Sequence, residues 1–268
     1  MNNPILWLEL RTRIRERKLW IVTCIYLLCL FAIAFISITV AAENPKGDPA
    51  DVGMAIFGCS AFSLLALLVI LGPLASAGAI TQEREQRTLP ALLNTPLSPS
   101  TIVWGKLLAS WVFILWLAAL SLPFLILGVI WGGVDIWKFI AALGVDVLAG
   151  MVSATIAIGL SGYFRRSLTS YLGTGAVMFL WLVVWPIFGG LTESLTRSNQ
   201  PGGDPVVFYV FFAHHLAAPL ICLMLPASGN LYPPSTIIPF ALIVWAILGA
   251  IFFGMACRGV TRTAVGKN

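Results

Sequence analysis

Very few side chains in this chain are of a type that does chemistry. Glu83 and Glu85 stand one residue apart in a polar stretch, Asp146 is alone in an apolar run, and His214-His215 interrupt another. Each suggests a reaction, and the spacing removes most of them. Adjacent histidines on a helix project about 100° apart, and no third ligand is placed near them, so no metal site is expected. There is no Gly-x-Ser-x-Gly elbow, no His-Glu-x-x-His pair and no paired aspartates within the apolar runs. No catalytic residue is therefore assigned. The cysteines (Cys24, Cys29, Cys59, Cys222, Cys257) lie in apolar segments without metal-ligand spacing and read as small packing residues. Asp146 stays open. An ionised carboxylate in hydrocarbon is costly, so it must face other helices, water or a partner. Gly150, Ser153, Ala154, Ala157 and Ser161 fall near its face at helical spacing, a small-residue stripe that admits a second helix. It is either a structural hydrogen-bond acceptor or part of a transport or proton path.

The elements that would position these groups are membrane spans. Of 268 residues, 59% are hydrophobic and 10% charged, with a mean hydropathy of +0.94, far above a soluble domain. Six runs reach the length of roughly 20 residues that one helical crossing requires: Leu19 to Val40, Gly53 to Ala79, Leu107 to Trp131, Phe139 to Phe164, Tyr171 to Gly190 and Thr236 to Cys257. Alternating strands of about 10 residues are not what these runs look like, so the fold class is an all-α integral membrane protein in a single domain, 1–268. Pro123 and Pro186 are expected to bend the third and fifth spans.

Of the sixteen basic residues, all but Lys46, Lys138 and Arg197 lie before the first span, between spans two and three, between four and five, or after the last. Basic loops resist translocation, so both termini and the polar stretch are placed in the cytosol. The net charge of +5 then reflects topology and contact with anionic membrane lipids, and no nucleic-acid partner is expected. Before the first span, residues 1–18 set Trp7, Leu10 and Ile14 at helical spacing, with Arg11, Arg13 and Arg15 on the remaining surface, as in an amphipathic interfacial helix. Segment 191–235 begins and ends polar around an apolar run, Val206 to Leu225. That run is long enough for a seventh span. His214, His215 and Pro219 near its middle, and the basic C-terminus it would move outside, favour an exterior re-entrant or surface-lying hairpin.

The polar stretch is the most specific signal. Glu83 and Glu85 open a helix where its dipole favours negative charge, and Leu89, Leu92, Leu93 and Leu97 fall on or near one face. Pro90 is expected to kink or restart this helix, and Pro96 and Pro99 to end it before the third span. The pattern Glu83-x-Glu85-x-x-Thr88-Leu89-x-x-Leu92-Leu93-x-Thr95-Pro96-Leu97-Ser98, followed by Gly105-Lys106, resembles the cytosolic coupling segment, here 80–105, of type-2 ATP-binding-cassette (ABC) permeases. The six spans, the arginine-rich first helix and the exterior hairpin before the last span look like that family too.

The resemblance implies a permease subunit of an ATP-driven exporter in a bacterial inner membrane, paired with a second permease copy or paralogue and with ABC ATPase subunits. ATP and Mg²⁺ then belong to the ATPase, since this chain has no Gly-x-x-x-x-Gly-Lys-Ser/Thr loop; Gly105-Lys106-Leu107 lacks the first glycine and the hydroxyl residue. The ATPase-coupling residues it implies are Glu83, Glu85, Thr88, Leu89, Leu92, Leu93 and Pro96. Two other classes stand beside it: an ion-coupled carrier using Asp146, which lacks a repeated broken-helix pattern, and an intramembrane enzyme, which lacks a catalytic constellation.

Overall fold

The computed structural model describes residues 4–15, 17–42, 49–93, 97–132, 134–184, 187 and 234–265. Within them the chain is helical. The elements are α1 (Pro4–Arg15), α2 (Arg17–Ala42), α3 (Pro49–Ser76), α4 (Thr81–Glu85), α5 (Leu89–Leu93), α6 (Pro99–Ile130), α7 (Ile136–Tyr163), α8 (Ser167–Phe179, extended by a π-helical turn Leu180–Val184) and α9 (Pro234–Val265). Four stretches are long and apolar enough to cross a membrane, Val52–Glu85, Pro99–Ile130, Ile136–Tyr163 and Ala241–Arg262; Trp20–Ile36 and Ser167–Val183 are shorter apolar helices. Of the expected exterior hairpin at 191–235, residues 191–233 lie outside the described residues, as do Pro186, the 206–225 run and His214-His215, while residues 234 and 235 open α9.

Helix α7 is the centre, packed against α9, α3, α6 and α8. Its composition permits this: Gly159 and Gly162 let α9 come so close that a methyl on either would stand 2.7 Å from Phe252 or Ala256, the approach that small residues allow between membrane helices. Gly150 serves α3 in the same way, meeting Leu68. Large apolar side chains on α2, among them Ile25, Leu28, Phe31 and Phe35, are exposed, as expected of a face that meets lipid rather than water. Helix α6 starts at Pro99, ahead of the Leu107 expected for the third span, because Ser98 accepts a hydrogen bond from the Thr101 amide and Pro99 occupies the first helical turn instead of only ending the helix before it. It runs unbroken through Pro123, so the expected bend does not end the helix.

The polar stretch folds as two short helices, and the reason is local. After α4, Arg87 adopts φ 59°; the Thr88 amide donates to Glu83 O at 2.9 Å and the Arg87 amide to Arg84 O at 3.2 Å. That pattern is a Schellman stop, with arginine in the left-handed position that usually holds glycine. The chain restarts at Leu89, and Pro90 falls in the new first turn, where its missing N–H is harmless.

Candidate functional site

The site is a hub at the end of the bundle where the basic residues gather. Helix α4 is only five residues long, yet each of its side chains reaches a different neighbour. The Ile80 and Thr81 amides donate to Ser161 Oγ, near the end of α7, at 3.0 and 3.1 Å. Gln82 Nε2 donates to the Tyr171 hydroxyl of α8 at 3.2 Å. Glu83 accepts from Lys106 Nζ of α6 at 2.6 Å, and the same ammonium donates at 2.6 Å to Glu9 of α1. Arg84 spreads its guanidinium over carbonyls: Nη1 donates to Phe164 O, and Nη2 reaches Gly162 O at 3.3 Å and Gly259 O at 3.5 Å. Glu85 accepts from the amide and hydroxyl of Ser167, both at 2.7 Å, at the start of α8.

Each contact has a physical reason. The last carbonyls of α7 have no partner inside their own helix, and a cation there is favoured by the helix dipole. Arg84 supplies it, with enough N–H groups to hold α7 and α9 together. The first amides of α8 are likewise orphaned, and Glu85 caps them. Ser167 and the nearby Arg166 hold the Glu85 carboxyl below the usual carboxylate range; this group lies beyond the end of α3 and is exposed. Lys106 is 2% exposed and both of its carboxylate partners 22%. A lone ammonium so buried is costly, and two short charge-assisted bonds offset that cost.

Apolar packing secures the same hub. Leu89 is buried with Ile80, Val103, Leu107, Ile158, Ala256 and Val260, drawn from the polar stretch and from α6, α7 and α9. Of the residues singled out from the sequence, Glu83 and Leu89 therefore face the bundle, Leu92 is half-buried, and Glu85 and Thr88 are exposed. Thr88 donates to Glu83 O. The Leu93 side chain and Pro96 lie outside the described residues, as do the side chains of Leu10, Arg13 and Ile14. On α1, Trp7 is 70% exposed, and Arg11 and Arg15 are exposed. Gln86, Arg87, Thr88 and Pro90 form the outward surface of the stretch.

Sequence reasoning missed Arg84 as a clamp, and Glu9 as a partner of Lys106. A signal for Lys106 exists: it is the one charge between Thr88 and Val134, and a cation within so apolar a run requires a carboxylate from elsewhere.

Asp146 is apart from the hub. It is fully buried on α7, and neither carboxylate oxygen has a hydrogen-bond partner among the described residues. No group of three or more possible metal ligands occurs among them.

The sequence matches the ABC-2 family transporter protein over residues 3–257. The chain belongs to the ABC-2 family. No curated protein matches it closely. Membership makes it an integral membrane permease subunit of an ABC transporter, and the ABC-2 permeases leave ATP hydrolysis to a partner ATPase.

Proposed function

We propose that this ABC-2 permease moves an unidentified substrate outward or between leaflets, as six crossings per chain in a dimer with itself or a related permease. Both termini and the polar stretch face the cytosol of a bacterial inner membrane. The ATPase, with its ATP and Mg²⁺, docks on the exposed turn Gln86 to Thr88 and on Pro90. The observation that carries this reading is the hub: Gln82, Glu83, Arg84 and Glu85 tie α4 to α8, to α6 and α1, to α7 and α9, and again to α8. A push on the turn is thereby delivered to five helices at once, because a rigid cluster of charge-assisted bonds moves as a body.

Reversing Glu83 and Glu85 together tests this poorly, since Glu83 also neutralises Lys106. The outward turn offers a cleaner test. Arg87→Gly combined with Gln86→Ala removes the exposed side chains, and glycine suits the left-handed backbone of residue 87 better than arginine does. The variant is expected to keep its unfolding midpoint while losing ATPase co-purification and transport. Normal co-purification and normal transport would count against docking at this turn.

A further inference from the structure

We propose that Asp146 is an intramembrane proton site, loaded while the bundle is closed around it and discharged when the helices part and admit water. Asp146 lies roughly 15 Å along α7 from Ile136, half-way through a hydrocarbon layer of about 30 Å. It is 0% exposed, and both oxygens lack a hydrogen-bond donor among the described residues.

The helices packed against α7 among the described residues bring it no cation. Between Gly53 and Thr81, from Leu107 to Ile130, and from Pro234 to Ala256 there is no Asp, Glu, Lys, Arg or His. On α7 itself the nearest charge is Lys138, two helical turns toward its start. From α2 comes Tyr26, buried and close enough for a charge on Asp146 to be felt at its hydroxyl, with Ser121 of α6 beside it. Both hydroxyls are already committed: Tyr26 donates to Leu117 O at 2.9 Å, and Ser121 to Ala118 O at 2.7 Å. Neither proton is left for the carboxylate.

The consequence is a group whose charge depends on access. A carboxylate sealed here has no counter-charge and no donor among the described residues, a state costly relative to water; taking up one H⁺ from water turns it into a neutral acid that the apolar surroundings accept. Parting of α3, α6 and α7 rehydrates it and lets the proton go. Asp146 then senses bundle closure, whichever subunit drives that closure, so the inference stands apart from the docking reading above.

The test uses the full chain reconstituted in phosphatidylethanolamine and phosphatidylglycerol vesicles. Dicyclohexylcarbodiimide partitions into the bilayer and adds to protonated carboxyls, and peptide mass spectrometry locates the adduct. Labelling is expected at Asp146, falling by about tenfold per pH unit above its midpoint, the slope of a single proton. It is expected to be lost in Asp146→Asn and retained in Asp146→Glu. Asp146→Asn is also expected to remove one carboxylic-acid carbonyl band from the infrared spectrum, a readout that does not depend on reagent access. Absence of both the adduct and that band, labelling that ignores pH, or labelling suppressed by sodium ions at fixed pH would each overturn the proposal, the last by making the site a sodium site.

Discussion

Replacing Lys106 with methionine keeps an unbranched side chain one atom shorter and deletes its charge. In the native chain Lys106 Nζ lies 2.6 Å from carboxylates of both Glu9 and Glu83 while itself 2% exposed. Breaking a buried ion pair from one side costs about 3–5 kcal/mol, because the charge left behind is uncompensated. Here two carboxylates are left facing each other, but each retains some contact with solvent, which places the cost near the lower bound. About 3 kcal/mol corresponds to a shift of roughly 150-fold in the folding equilibrium. The assay is reversible denaturation of the purified full chain in detergent, followed by tryptophan fluorescence. The decisive comparison is Glu9→Gln/Lys106→Met/Glu83→Gln, in which no charge remains: it should recover most of the loss, since a neutral cluster carries no desolvation penalty. If Lys106→Met alone unfolds within about 0.5 kcal/mol of the native chain, the range of an ordinary surface substitution, then the triad does not hold α1 and α4 to α6 and the hub is wrongly drawn.

Three further outcomes follow from the same contacts. Arg84→Lys keeps the charge but cannot reach Phe164, Gly162 and Gly259 together; amide hydrogen exchange at the adjoining ends of α7 and α9 should accelerate, and unchanged protection there would remove Arg84 from the clamp. Glu85 has a depressed pKa, so its contribution is present above the ordinary value of 4.5 and is lost as pH falls through the lower folded value. Native chain and Glu85→Gln should accordingly differ in unfolding midpoint at neutral pH and converge in acid, whereas a pH-independent gap would contradict the Ser167 cap. Gly259→Ala would put a methyl 2.1 Å from the Gly162 carbonyl, while the same change at Gly254 meets nothing within 4 Å. The first should destabilise by about 1–3 kcal/mol and the second should be neutral or better, measured as unfolding midpoints side by side; equal effects would mean that α7 and α9 do not touch at this crossing.

Membrane embedding and family were legible in the chain itself, because both depend on local wording. Twenty-residue apolar runs announce helices whatever surrounds them, and the Glu83 to Ser98 pattern carries its resemblance in linear order. The stop after α4 was half legible: Pro90 foretold a restart, but not that Arg87 would take a left-handed backbone, which depends on the bonds made by Thr88 and Arg87 themselves. What each charge of the polar stretch does was not legible. Glu83 and Glu85 look alike in sequence, yet one is consumed by a buried lysine and the other caps α8 in the open. The distinction comes from which helices converge there. Their partners lie 23 and 82 residues away, and no local periodicity encodes a contact over such separations. Asp146 shows the same division: hydropathy marks it as costly where it stands, while only the packing of α3, α6, α8 and α9 around α7 decides that no donor among the described residues reaches it.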